Sequence, residues 1–364
     1  MTPPAELTAP PESRTLSPVR PTVIDIAREA GVSLATVDRV LNARPGVRAG
    51  TVALVRDAVA RLGYVRDVEA ANLARGRTYE VLVLLPRGGG GFVRALQDAV
   101  EAAARGAAGH RMSVAVERVA SDDGHALAAR LAACADTTAG VALMAPETPP
   151  ARDAVRSLRA RGIPVATLAS DLPASDRDRF VGIDGRAAGR TAGLLMARFL
   201  RGPGDGRARV LALAPSMLLR DSIERRRGFD EVMAAEAPGV EVLQTLETHG
   251  SPDVMARVVA AVLGQGVTPG GVYLLGEGHG ALAATLRDAR LPSRPVVVGH
   301  ELTPDARAAL LGGSLDAAVA QNVGHLARAA LRVLRALADG RPVDAAQDSL
   351  RIEIVTRENL PPEV

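Results

Sequence analysis

The sequence predicts two architectures in one chain of 364 residues: a small all-α headpiece near the N-terminus, then an α/β core of two doubly wound parallel-sheet subdomains. Three observations carry this expectation. Residues 21–64 hold three short amphipathic segments joined by tight-turn signals. From Tyr79 onward, short and nearly continuous apolar runs alternate with alanine-rich segments of helix length, the signature of parallel strands covered on both faces. Roughly 270 residues of that second pattern exceed one ordinary doubly wound domain, so two subdomains with a cleft between them are expected.

In the headpiece, Thr22 precedes the first apolar-periodic run and Asp25 stands three residues on, a variant of the capping box that satisfies the free amides of a helix start. Gly31 follows Ile24, Ala27 and Ala30 and suits the left-handed conformation that ends a helix, and Ser33 caps a second helix almost at once. Two helices joined by so short a turn cross steeply, which is the helix-turn-helix arrangement. A third helix is expected from about Gly50, where Val52, Val55, Val59 and Leu62 form one apolar stripe. In the core the expected strands are EVLVLLP (80–86), MSVAVERV (112–119), GVALMAP (140–146), IPVATLAS (163–170), RVLALAP (209–215), VEVLQTLE (240–247), GVYLLG (271–276) and PVVVGHE (295–301). Ligands of such sheets bind beyond the carboxyl ends of the strands.

Composition narrows the function. A hydrophobic content of 47% is ample for buried cores. Every basic residue is arginine, and residues 20–66 carry eight Arg against four Asp plus Glu, so +4 of a total of +3 lies there and −1 in the rest. That is where contacts to nucleic-acid phosphates would be needed. The single Cys134, inside LAACA, excludes an internal disulfide and a multi-cysteine metal site and reads as a buried, inert thiol. The first twenty residues lack the apolar core of a signal peptide and read as a disordered leader. No later stretch of about eighteen residues is apolar enough to span a bilayer, so a cytoplasmic protein without a membrane partner is expected. The six histidines are scattered without metal-ligand spacing. Gly88 to Gly91 spell neither a dinucleotide fingerprint nor a P-loop, which a chain without lysine cannot complete. Close backbone approach is one reading of them, and a flexible cleft-edge loop is the one favoured. With no nucleophile elbow or triad order either, no cofactor, no metal and no enzyme activity is expected.

The run T-V-x-D-I-A-x-x-A-G-V-S-x-x-T-V-x-R-V-L-N, here Thr22 through Asn42 and followed by Gly63-Tyr64, closely resembles the headpiece of the lactose-repressor (LacI/GalR) family of bacterial transcription factors. The core resembles the periplasmic-sugar-binding-protein fold that forms the regulatory part of the same family. The resemblance implies a leader over 1–20, a DNA-binding headpiece over 21–66, a hinge over 67–78 and an effector-binding and dimerisation core over 79–364. It points Leu34, Ala35, Asp38 and Arg39 toward the major groove. The planar fork of Arg39 suits guanine O6 and N7, or a phosphate; Asp38 accepts from cytosine N4 or pairs within the protein. Thr22, Ser33, Thr36, Asn42, Arg48 and Thr51 match backbone-positioning donors, with Thr22 and Ser33 also readable as caps alone. Leu73 matches the hinge leucine that wedges into the minor groove. Arg66 and Asp67 replace the usual proline and asparagine there and Glu69 adds an acid, so a plain solvated linker is the alternative.

In the core, SIERRRGFDEV (222–232) resembles the family's R-x-x-G-F effector motif, whose register selects Arg225 from three consecutive arginines. Glu301 stands where relatives commonly use Asp to accept from sugar hydroxyls, Gln321 matches a ligand-contacting glutamine, and Glu147, in APETPP, follows another strand. For each, a structural hydrogen bond at a strand end is the alternative. The implied protein is a homodimeric, sequence-specific regulator, a repressor by default, that binds double-stranded, near-palindromic operator DNA under control of a small polar effector, a sugar or polyol. One rival is a cytoplasmic small-molecule-binding protein without regulatory DNA binding. The other is a doubly wound enzyme, which the missing cofactor fingerprint disfavours.

Overall fold

The computed structural model describes residues 21–41, 44–64, 78–88, 90–107, 111–120, 123–200, 208–344 and 346–362. Asn42, Leu73, the leader over 1–20 and the hinge over 67–77 lie outside the described residues. The chain divides at Thr78 into two compact units.

The first unit contains α1 (Val23–Ala30), α2 (Leu34–Leu41) and α3 (Ala49–Leu62). Both ends of α1 follow from local chemistry: the amide and hydroxyl of Thr22 each donate to the Asp25 carboxylate at 2.8 and 2.7 Å, and Gly31 takes φ +61° as the helix stops. One side chain from each of α1 and α2 and two from α3, namely Ile26, Val37, Val55 and Ala58, reach 0% exposure and form the centre of the core. Arg48 is the residue before α3 and makes no side-chain cap, consistent with an arginine standing where a short hydroxyl would cap.

The second unit holds two sheets. The first contains β1 (Tyr79–Arg87), β2 (Met112–Ala120), β3 (Gly140–Leu143), β4 (Val165–Leu168) and β5 (Arg179–Val181), parallel and in spatial order β2-β1-β3-β4-β5. Its helices are α4 (Gly91–Ala107), α5 (Gly124–Ala132) and α6 (Pro149–Ala160). The second sheet contains β6 (Arg209–Ala214), β7 (Glu241–Val242), β8 (Leu246–Glu247), β9 (Gly271–Leu274), β10 (Val296–His300), β11 (Ala317–Ala320) and β12 (Glu353–Val355). It runs β12-β11-β10-β9-β6-β7, with β8 also on β6, and β12 is its antiparallel edge. Around it lie α7 (Gly185–Phe199), α8 (Arg220–Glu236), α9 (Pro252–Gly264), α10 (His279–Asp288) and α11 (Pro304–Leu311). Strands β1, β2, β3, β4, β6, β9 and β10 coincide with expected runs. VEVLQTLE forms two brief pairings instead of one strand, because Arg226 Nη1 donates to the Leu243 carbonyl at 2.9 Å and to Thr245 Oγ1 at 2.6 Å and draws the middle of the segment toward α8.

The chain passes between these two lobes three times. After β5 it leaves the first sheet, and Ala188, Ala192 and Met196 of α7 pack with Val210 and Tyr273 of the second. After β11 it returns as α12 (Val323–Ala338), whose Leu326, Ala330 and Leu334 complete the core around Val81, Val83 and Leu85 of β1. Tyr79 at the start of β1 donates to Asp339 just beyond α12, across 260 residues of sequence. The chain then crosses again to form β12. Strand carboxyl ends of both lobes face the cleft that these passages flank.

Candidate functional site

In the headpiece unit, α2 presents its polar face outward. Val37 is buried, whereas Ser33, Ala35, Asp38 and Arg39 are exposed, and Leu34 is 51% exposed, high for a leucine in a domain with so small a core. Ser33 Oγ caps α2 by accepting from the Thr36 amide at 3.2 Å and lies 2.9 Å from Thr36 Oγ1. Asp38 pairs with Arg44 at 3.4 Å, both side chains more than half exposed, so the fold supplies an intramolecular partner other than Arg39. Thr22 and Ser33 serve as caps, Thr36 and Thr51 are half-buried, and Arg48 is exposed. All of these except the core-facing Val37 leave side-chain atoms available to a partner.

In the second unit the cleft encloses a cavity of about 410 Å³, lined from the first lobe by residues following β1, β3 and β4 and from the second by α8 and by residues following β6, β9 and β10. Arg225, one turn into α8, is 3% exposed. Its Nη2 donates to Glu301 Oε1 at 2.6 Å and its Nη1 to the Leu275 carbonyl at 2.8 Å, with Asp221, one turn earlier on α8, at 3.4 Å. Gln321 Nε2 donates to the same Glu301 oxygen at 3.2 Å. Three residues distant in sequence thus meet in one buried cluster. The register of α8 explains why Arg225 is the one buried: the side chain of Arg227 is 62% exposed and Arg226 turns to Asp230.

Glycines set how closely α8 approaches its neighbour. A Cβ at Gly189 of α7 would sit 1.9 Å from the Arg225 carbonyl oxygen, and one at Gly228 would sit 2.0 Å from that of Arg186, so the two helices pack backbone to backbone around the arginine. Glu301 holds φ +68°, a left-handed conformation uncommon for a residue with a side chain. Its amide bond to Val319 and its carboxylate bonds to Arg225 and Gln321 over-determine that geometry.

Electrostatically, burial pushes the Glu301 carboxyl up, and the Arg225 guanidinium opposes that shift. Burial works against the charge on Arg225, yet Glu301 and Asp221 hold it firmly protonated. Behind the cluster, Tyr273 stacks on Phe229 with ring centroids 4.0 Å apart and its hydroxyl lies 2.8 Å from His300 Nε2. Burial and the Arg225 charge hold His300 well below its ordinary pKa, so its ring is neutral. The Nε of Arg225, the Oδ1 of Asp221 and the Oε1 of Gln321 are buried without a hydrogen-bond partner among the described residues. Arg225 and Asp221 line the cavity, where such groups suit a ligand that brings hydroxyls, which both donate and accept, whereas Gln321 does not line it.

Glu147 is not brought to this cavity: its carboxylate pairs with Arg152 at 3.2 Å and Arg220 at 3.5 Å, and its amide bonds to Leu218 of the other lobe. Asp221, Ser222, Phe92 and Glu277 line the cavity and escaped sequence reasoning. The signal for Asp221 was its place four residues before Arg225, and for Glu277 its place after the run GVYLLG. Glu277 also spans the cleft: its Oε2 accepts from the Phe92 amide at 3.0 Å, against Gly90, where a Cβ would meet the carboxylate at 2.7 Å. Among the described residues there is no group of His, Cys, Asp and Glu fit to hold a metal ion, and no helix long and apolar enough to cross a membrane.

Comparison with known proteins agrees with both units. Residues 22–67 match the family described as bacterial regulatory proteins, lacI family, and residues 81–342 match the periplasmic binding protein domain. Catabolite control protein A of Priestia megaterium is 45% identical over 65 residues, which are 18% of this chain and 20% of that protein. The match therefore spans about a fifth of the relative's length. Among solved structures, GanP, a glucose-galactose binding protein from Geobacillus stearothermophilus, superposes with a TM-score of 0.67 at 20% identity, covering 79% of this chain and all of that one. A putative LacI transcriptional regulator from Bacteroides fragilis gives 0.66 at 17% identity, covering 78% of this chain and 98% of that one. The chain thus carries a lacI-type helix-turn-helix over 22–67 ahead of its core, and over 81–342, most of its length, it belongs to the periplasmic binding protein domain family.

Proposed function

We propose that this protein is a sequence-specific, DNA-binding transcriptional regulator, a repressor by default, controlled by a small neutral sugar or polyol bound in the cleft. The observation that carries the reading is the buried Arg225–Glu301–Gln321 cluster, whose charged donor and charged acceptor line the cavity while the Gln321 amide bonds to Glu301, on the same chain as an outward-facing recognition helix. A cavity of about 410 Å³ falls in the ordinary range of roughly 300–1,000 Å³ for small-molecule sites. Its carboxyl groups, on Asp221, Glu277 and Glu301, outnumber its guanidiniums, on Arg87 and Arg225, by one, which with His249 neutral gives a formal −1 and disfavours a phosphate or other anion. GanP, with the same fold, is a glucose-galactose binding protein.

The regulator works as a cytoplasmic homodimer, since a two-fold protein matches two half-sites of a near-palindromic operator. Arg39, Asp38, Leu34 and Ala35 read base edges, while Thr22, Ser33, Thr36, Asn42, Arg48 and Thr51 position the backbone and Leu73 belongs to the hinge contact. Effector binding shifts the balance between open and closed lobes, and the coupling to DNA equals the difference in effector affinity between those states. The protein performs no catalysis. Selection of duplexes from a random DNA pool, followed by titration with a panel of sugars and polyols, tests the reading. The expected result is one near-palindromic sequence whose binding changes with one sugar. Recovery of no preferred sequence, with sugar binding intact, would instead support the small-molecule-binding protein without DNA regulation.

A further inference from the structure

The two walls of the cleft differ in chemistry. From the second lobe come Asp221, Ser222, Arg225, Glu277 and Glu301. From the first come Pro86, Phe92, Val93, Met144 and Ala169, all but Pro86 and Phe92 aliphatic chains without a ring, and among the described residues the one polar side chain from that lobe is Arg87, which is exposed. Met144 and Ala169 occupy the positions just past β3 and β4, where an open α/β sheet normally presents ligand-binding groups.

Several backbone groups of this wall are also committed elsewhere. Arg118 donates to the Pro86 carbonyl at 2.9 Å and to that of Val93 at 3.4 Å. The Phe92 amide bonds to Glu277, the Met144 amide to the Leu84 carbonyl and the Ala169 amide to that of Val181. Ser170, two residues past the end of β4, is 1% exposed and accepts from the Asp221 amide. A hydroxyl turned toward the first lobe would meet few groups able to bond it. On the second lobe, Arg225 Nε and Asp221 Oδ1 remain unpartnered among the described residues.

Resting on the reading of the cleft as a sugar site, we infer that the effector is a deoxysugar of the 6-deoxyhexose class, whose hydroxyl edge lies on the second lobe and whose methyl group packs on Phe92, Val93, Met144 and Ala169. A methyl there replaces an apolar wall's contact with water. The hydroxymethyl of the parent hexose would leave a buried hydroxyl without a partner. Met144 and Ala169 are then specificity-determining residues, and Arg225 and Glu301 supply affinity to both kinds of sugar.

The test is calorimetry on the full chain with matched pairs: D-fucose and D-galactose, L-fucose and L-galactose, L-rhamnose and L-mannose, 6-deoxy-D-glucose and D-glucose. The tightest ligand is expected to be a deoxy member, with its parent weaker by about tenfold or more, the size of effect a single group makes in an apolar pocket. Met144→Gln adds an amide to the wall and should narrow or reverse that ratio; Ala169→Asn, whose residue tolerates the left-handed backbone found there (φ +56°), serves if the first variant does not fold. A parent hexose that binds as tightly as its deoxy partner overturns the inference and leaves the sugar site standing. The same holds for a folded wall variant with an unchanged ratio. Failure of every sugar in the panel overturns the sugar reading itself, and the inference with it.

Discussion

The headpiece and the core store their functional information differently. In the headpiece, four fully buried residues within one stretch of some forty hold three helices, and the residues that face outward lie on the same short helix as the buried Val37. In the core, Arg225, Glu301 and Gln321 come from one helix and two strand ends, and their meeting depends on β9, β10, β11 and α8 all being in place. A local motif can thus be disturbed one residue at a time, whereas the cleft responds as a unit. The lesson is that a substitution in the headpiece should change what is read, and one in the cluster should change both binding and folding.

The largest effect that sharpens this contrast is expected from Arg225→Ala. Removing one partner of a buried ion pair leaves Glu301 uncompensated, so chemical denaturation of the core should show a loss of ~3–5 kcal/mol, and effector binding should fall below detection by calorimetry. Operator binding by the effector-free protein should survive wherever the core remains folded. Gly228→Ala comes next: its methyl would lie 2.0 Å from the Arg186 carbonyl oxygen, so α7 and α8 must separate. Overpacking of this kind costs about 1–3 kcal/mol, and the displaced Arg225 should weaken sugar binding. Parental sugar affinity in that variant would break the idea that the cluster depends on helix contact.

Arg39→Ala should leave core stability and sugar affinity untouched. Its expected cost is ~1–3 kcal/mol at one base position of each half-site, seen as relaxed preference in binding to single-substituted operators. Equal weakening on every sequence would make Arg39 a phosphate contact. The smallest effect separates the units by pH. Burial lowers His279 to about 4 and His300 well below 6.5, so the unfolded chain takes up protons first and core stability should decline as pH falls below about 6.5. Asp25 is held below 3.8 by its bonds to Thr22, so its contribution to the headpiece is present above that value and is lost only as pH falls through the depressed pKa. Thermal unfolding recorded at pH 7, 5.5 and 4.5 should therefore show the core transition moving before the headpiece transition.

Legibility followed the same division. Helix ends at Thr22, Gly31 and Ser33 are written in capping chemistry that acts within three or four residues, and the fold places them there. Long apolar strands were legible for the same reason, since burial on both faces leaves a continuous run. Brief edge strands such as Arg179–Val181 and Glu353–Val355 carry charged residues and no such run, so pairing with a neighbour creates them. In the cleft, register with Gly228-Phe229 singled out Arg225, and helix periodicity buries it. Glu147 had the same outward sign, an acid past a strand, but two arginines, one from each lobe, turn it aside. The apolar character of Met144 and Ala169 at strand ends could not be told from ordinary core without knowing which residues stand opposite.

The return of the chain into the first lobe has a consequence for synthesis. Because Leu326, Ala330 and Leu334 complete the core around β1, and Tyr79 bonds to Asp339, that lobe cannot close when its five strands have left the ribosome. With 260 residues separating Tyr79 from Asp339, and translation adding roughly 5–20 residues per second, the apolar face of β1 waits about 13–52 s for its last covering helix. Through that interval the nascent first lobe keeps apolar surface uncovered, the condition that favours aggregation, and a stalled or truncated message would release a lobe with its seam open.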